Sequence, residues 1–333
     1  MGGEGQLASR SAGQDGVHEI ALIIAVAINA VGRMHPLVET GLGGVGALLR
    51  REVSRREINM QETTPHIANG FDITLEGALL MPFPPLGAQL LVFGGHPTLK
   101  YDINTQTDLI LDSVAKAGYD AVEGGARDAV AYRRALDARG LRYGGSHVLL
   151  PALEDVAPLI AYLKVVDSQD ICNSGLRVWN NRGADDYRDA VSVLNNAGRA
   201  FRSEGIHLHY HHHDFEFEAV EGAKTGMDIL LEGLDPEAVD LCVDIAWVQK
   251  GGSDPAVYLT QHRDQIGYLH FKDFDTDGWT ELGRGQVDIA AVIKVLPDLP
   301  GVRWVMVEQD TTKNDPRESI AISRRYLRET FGY

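Results

Sequence analysis

Four short apolar runs in the last third of the chain each end in side chains that bind metals. They are His209-Tyr210-His211-His212-His213-Asp214, Leu241-Cys242-Val243-Asp244, Tyr268-Leu269-His270-Phe271-Lys272-Asp273 and Val305-Met306-Val307-Glu308. Each reads as a strand and is followed by a helix-like segment. A row of parallel strands with ligands at their C-terminal ends is how a (β/α)8 barrel builds a metal site. The pattern therefore predicts a metalloenzyme on an α/β barrel.

The same alternation runs back to Leu86. Strands are expected at Leu86–Phe93, Asp120–Glu123, Leu141–Val148, Asp170–Ser174, Ile206–His211, Val239–Asp244, Ile266–Phe271 and Arg303–Val307. Helices are expected at Asn104–Ala117, Asp128–Arg139, Leu153–Val166, Asp185–Ser203, Met227–Leu231, Pro255–Arg263, Asp288–Val295 and Pro316–Glu329. Gly118, Gly140 and Gly205 stand where three of these helices stop. Residues 86–333 are close to the roughly 250 residues typical of a TIM barrel. Strict alternation argues for a parallel sheet with crossover helices. An open doubly wound sheet is the alternative, but no Gly-x-Gly-x-x-Gly turn follows the first strand, which weakens a nucleotide-binding version.

Residues 1–85 fall outside this alternation and are set apart as an N-terminal extension. Residues 19–31 form an apolar run too short to span a bilayer as a helix. It resembles a signal-peptide core but lacks a clear basic region before it. Residues 32–60 mix Gly-rich and Arg-rich stretches without a steady period. A disordered or amphipathic extension is the expectation, with Met60 as the natural start.

Charge narrows the function. With 47 acidic against 31 basic residues the net charge is −16, a poor balance for neutralising nucleic-acid phosphates. No membrane span is expected. Two cysteines, Cys172 and Cys242, give no disulfide framework, so a reducing cytoplasm is the default.

Strand alternation sorts the candidates by direction. His209, His211 and His213 share one face of the fifth strand, and His270 and Lys272 point the same way on the seventh. Asp244 and Glu308 are the last positions of their strands. Carboxylates and imidazoles from neighbouring strands can converge on one divalent ion, and mixed O/N ligation suits Mn, Mg, Co, Zn or Fe.

The blocks Tyr210–Phe217, Val243-Asp-Ile245, Leu269–Asp273, Leu282–Asp288 and Val307–Asp310 resemble the xylose-isomerase-like barrel superfamily, as does Gly118-Tyr-Asp-Ala-Val-Glu123. That superfamily holds sugar phosphate isomerases/epimerases, inosose dehydratase and apurinic endonuclease relatives. The resemblance, from Leu86 to about Leu327, implies one metal on ligands from strands five to eight. Its Asp, His and Glu match Asp244, His270 and Glu308. The fifth-strand ligand is often Glu, and here His211 stands in its place, as ligand or as substrate contact. The His-His-His run and the late Glu-Gln-Asp look like the inosose dehydratase branch, while Asp-Phe-Glu-Phe looks like the isomerase/epimerase branch.

Such a site implies enolisation, in which a metal acidifies the carbon-bound proton between a carbonyl and a hydroxyl. His213 is the candidate acid or base, with Glu308 also counted among the catalytic residues. Lys272 is a candidate to stabilise a developing enolate. Glu123 and His147 are candidates for hydroxyl contacts or a second acid/base, and Arg284 for meeting substrate. Plainer roles compete. His212 reads as a structural histidine facing the helices, His207 and His209 as packing residues, and Asp288 as a helix cap. Asp273 and Asp310 read as caps or orienting groups, and Lys272 as a salt-bridge partner.

The expected function is a metal-dependent isomerase or epimerase acting on a small sugar, keto-sugar or polyol. The rival is an inosose-type dehydratase using the same site. Endonuclease activity is disfavoured, because Asp244-Ile-Ala-Trp247 lacks a histidine three residues after the aspartate. Sugar binding without catalysis is the remaining class. Association into a homodimer or homotetramer is expected by resemblance alone.

Overall fold

The computed structural model describes residues 83–333. The apolar run at 19–31 and Met60 lie outside the described residues.

Eight parallel strands close into a barrel in chain order. They are β1 (Leu86–Gln89), β2 (Ala121–Glu123), β3 (Arg142–Leu149), β4 (Asp170–Ser174), β5 (His207–His211), β6 (Val239–Asp244), β7 (Ile266–Phe271) and β8 (Trp304–Val307). Closure comes from β1 pairing with β8, with Leu86 opposite Val305 and Ala88 opposite Val307. Eight helices cover the outside: α1 (Thr107–Ala117), α2 (Ala129–Asp137), α3 (Ala157–Val166), α4 (Ala184–Ser203), α5 (Gly226–Gly233), α6 (Pro255–Gln261), α7 (Ile289–Val295) and α8 (Pro316–Phe331). Among the described residues no helix is long and apolar enough to cross a membrane.

Local chemistry sets these boundaries. Asp128, Thr225, Asp254, Asp288 and Asp315 cap helix N-termini by accepting a backbone N–H, satisfying donors the helix cannot. Gly118 ends α1 at φ +93°, a left-handed conformation that costs glycine little.

Two apolar segments depart from the sequence reading. The first strand stops at Gln89 rather than Phe93, and the chain turns into a short helix, Val92–Gly95. Val92 and Phe93 are apolar because this turn is buried, not because it is a strand. The long helix expected from Leu153 divides into a 3-10 turn, Leu150–Glu154, and α3, which begins near Pro158. Two small hairpins, Ala219–Glu221 with Lys224–Thr225 and Asp273–Asp275 with Gly278–Thr280, decorate the loops after β5 and β7.

The barrel interior is layered. Ala121, Cys172, Cys242, Tyr268, Trp304 and Met306 form an apolar cluster separate from the strand–helix core. Each of Cys242, Tyr268 and Met306 lies two residues before a buried ionisable group on its own strand: Asp244, His270 and Glu308. Period-two alternation thus stacks a polar layer directly on an apolar one. At the opposite end, Asp170 accepts from His209 Nε2 (3.0 Å), Arg303 Nε (2.6 Å) and Trp304 Nε1 (3.1 Å).

Candidate metal centre

His211, Asp244, His270 and Glu308 come from four successive strand ends, and one ligand atom of each lies within 4.8 Å of the others. Each is oriented by a different device. Asp244 caps the short helix Ile245–Lys250, so its Oδ1 accepts from Ala246 N (2.9 Å) and Trp247 N (3.1 Å) and its Oδ2 is turned to the cluster. His270 Nε2 bonds Glu123 Oε2 at 2.7 Å, leaving Nδ1 facing Glu308 Oε2. Glu308 Oε1 accepts from Lys272 at 3.1 Å. His211 Nδ1 lies 3.4 Å from Ser174 Oγ, and its Nε2 lies 3.6 Å from Asp244 Oδ2.

The remaining atoms, His211 Nε2, Asp244 Oδ2, His270 Nδ1 and Glu308 Oε2, are buried without a hydrogen-bond partner. Buried polar atoms are almost always satisfied, and four such atoms around one point form a set that could hold a cation. Two imidazole nitrogens and two carboxylate oxygens fit a divalent first-row ion. Burial, reinforced by His270, holds His211 well below the usual imidazole range, as a nitrogen donor requires.

Glu123 stands behind the cluster. Its Oε1 bonds His147 Nδ1 at 2.7 Å while Oε2 serves His270 and meets Tyr268 OH at 3.3 Å. Burial opposes its ionisation, but His270 and His147 outweigh that and bring its carboxyl down to about 2. With both oxygens engaged, Glu123 orients two histidines.

Lys272 is fully buried. Its Nζ lies 3.1 Å from Glu308, 2.8 Å from Asp310 and 3.7 Å from Asp244, and 4.2 Å from the centre of the Trp279 ring. Burial alone would lower its pKa, yet Glu308 and Asp244 more than reverse this. The ammonium neutralises three carboxylates, the salt-bridge arrangement that the sequence also allowed.

A cavity of about 650 Å³ opens above the cluster, and His147, His211, His213, Glu308 and Asp310 line its polar side. His213 stacks on Phe215 at 5.0 Å, meets Trp179 edge-on at 5.2 Å, and donates its backbone N–H to Glu216 Oε2 at 2.7 Å. Burial and the nearby His211 push its pKa far below the imidazole range. His212 lies on the other side of the strand against Phe217 and Tyr258.

Arg284 does not reach the cavity. Asp273 accepts from the backbone N–H groups of Gly283 (3.0 Å), Gly285 (3.0 Å) and Val287 (3.1 Å). The loop turns its amides inward, so Arg284 points out to Glu281 at 3.3 Å. Its expected substrate contact is thereby corrected. Two residues the sequence reading did not single out matter here. Glu216 anchors the His213 loop and also accepts from Tyr210 OH at 2.8 Å. Trp179 follows β4 in a loop with no periodic signal.

Residues 111–330 match the family described as xylose isomerase-like TIM barrel. The chain belongs to that family. Among curated relatives, inosose dehydratase of Halalkalibacterium halodurans is 30% identical over 31% of this chain, a stretch spanning 41% of that protein's length. Inosose dehydratase of Bacillus licheniformis is 26% identical over 67% of this chain and 88% of its own. A sugar phosphate isomerase/epimerase structure from Parabacteroides distasonis superposes with a TM-score of 0.64 at 21% identity, covering 76% of this chain and 96% of that one. Family membership and barrel architecture follow from these likenesses.

Proposed function

We propose that the chain is a metal-dependent isomerase or epimerase of a sugar, keto-sugar or related polyol, working at the His211–Asp244–His270–Glu308 centre. One observation carries this reading: four orphaned donor atoms converge at the floor of a cavity that also presents His147 and His213. A divalent ion there would supply Lewis acidity to a carbonyl and its neighbouring hydroxyl, acidifying the carbon-bound hydrogen between them.

The chain's own residues then divide the work. His213, wedged between aromatic rings at the cavity wall, is the group placed to take the carbon-bound proton, and negative charge developing on the substrate would offset the burial that disfavours its protonated form. His147, fixed through Nδ1 by Glu123, faces the cavity with its other edge and handles the proton at a hydroxyl or carbonyl oxygen. Lys272 keeps Asp244 and Glu308 from repelling each other. The aromatic wall of Trp179 and Phe215 keeps water off His213.

A dehydratase is the second reading, and the curated relatives' name favours it. The same His213 would remove the proton and His147 would protonate a departing β-hydroxyl. Incubation with keto-inositols and ketoses in D2O, with Mn²⁺, Co²⁺ or Mg²⁺, separates the two. Deuterium incorporation with an isomeric product supports the isomerase, and an unsaturated or diketo product supports the lyase. No exchange with any substrate or metal overturns both.

A further inference from the structure

The cavity above the metal centre has two unlike halves. Its inner half is polar, with Glu123, His147, His211, His213, Glu308 and Asp310 among the lining residues. Its outer half is apolar, formed by Leu90, Leu91, Tyr101, Ile103, Leu149 and Trp179. No lysine or arginine stands among the described residues that line it. Two cations near this site are already committed. Lys272 is enclosed by Glu308 and Asp310, and Arg182 lies over the Phe215 ring at 3.7 Å.

A phosphate group is commonly held by arginine and lysine side chains, which this lining does not offer. The rim offers a different surface. Leu91, Leu149 and Trp179 are 50%, 52% and 42% exposed, an unusual concentration of large apolar side chains around one opening. About 650 Å³ lies in the range that encloses drug-sized ligands, more than a lone sugar ring fills.

Resting on the reading of the site as a sugar or polyol enzyme, we infer that the substrate is an uncharged polyhydroxylated ring or ketose carrying an apolar, aryl- or alkyl-type substituent. The hydroxylated part faces the metal centre and His147. The substituent lies along Leu149, Leu91 and the Trp179 indole, whose edge is already packed on His213 and Phe215. Aromatic rings offer such a substituent a large contact area with defined geometry.

The test is binding, so it does not depend on turnover. Methyl glycosides, phenyl glycosides and 6-phosphates of glucose, galactose and mannose are titrated into Mn²⁺-loaded full-length protein by calorimetry. At least one phenyl glycoside should bind about tenfold tighter than its methyl counterpart, and every 6-phosphate should bind more weakly than the parent sugar. Leu149→Arg, a change at an exposed position, should reverse the ranking by weakening the phenyl glycoside and strengthening the phosphate. Phosphates binding as tightly as parent sugars, no gain from the phenyl group, or no binding in any series overturns the inference. Failure of the enzyme reading looks different: the ranking would hold while no carbon-bound proton exchanges in D2O.

Discussion

Glu123 Oε2 sits 2.7 Å from His270 Nε2, on the edge of the imidazole opposite the Nδ1 that faces Glu308. The carboxylate accepts the Nε2 hydrogen, which leaves Nδ1 as the nitrogen that would face a metal. Partners of this kind behind a ligand histidine are worth roughly 10–100-fold in metal affinity. Glu123→Gln should therefore weaken Mn²⁺ binding by about that factor, because one amide cannot accept from both His270 and His147. Calorimetric titration of the metal measures it, and an unchanged affinity would remove Glu123 from this role.

Asp244→Ala and Glu308→Ala should each abolish stoichiometric metal in purified protein, as read by elemental analysis. Chelation of the wild type should lower its melting temperature. At a metal concentration 100 times its dissociation constant, binding contributes about 2.7 kcal/mol to stability. A melting curve indifferent to chelator and added Mn²⁺ would count against a metal in this cluster.

His213→Ala should slow deuterium exchange into substrate by about 10²–10⁴-fold, the usual contribution of a positioned base. Metal content should be unchanged, since His213 points to the cavity and not to the four-donor point. Loss of metal in this variant would instead place His213 among the ligands.

Glu216 is raised to about 7, chiefly by burial, with its bonds to His213 N and Tyr210 OH pulling the other way. In the unfolded chain it titrates near ~4.3. The folded state therefore holds the proton more tightly, and stability declines as pH rises from ~4.3 to about 7. Glu216→Gln can accept from His213 N and donate to Tyr210 OH, so it should remove this slope and leave the protein more stable than wild type at pH 8. Urea denaturation at several pH values between 5 and 8 gives the comparison.

Asp170 behaves in the opposite sense. Burial opposes its charge, but His209 and Arg303 hold its pKa below the ordinary value. Its contribution is present above the unfolded value of ~3.9 and is lost as pH falls through the lower folded one. Asp170→Ala strands three donors and should cost about 3 kcal/mol at pH 7, the low end for a broken buried pair because Arg303 is partly exposed. A loss below about 1 kcal/mol in chemical denaturation would show that water satisfies those donors.

The barrel was legible because its strands are buried on both faces and read as continuous apolar runs. β4, β6 and β7 lie where the pattern placed them. The pattern misread Leu90–Phe93 and Leu153–Val156, since burial in a turn looks like burial in an element. At the site, strand-end position located Asp244, His270 and Glu308, and period-two alternation separated His211 from His212. Strand reading could not see partners. Lys272 and Glu123 became neutralising and orienting groups only through residues 36 and 147 positions away. Arg284 was misplaced because Asp273 draws in the amides on either side of it, a tertiary constraint with no local signature.

The four metal-facing atoms all come from β5–β8, whereas the carboxylate that orients His270 comes from β2. The four donors can therefore gather on the second half of the barrel alone. What closure of the ring against β2 adds is the orientation of one of them, His270, through a carboxylate 147 residues away.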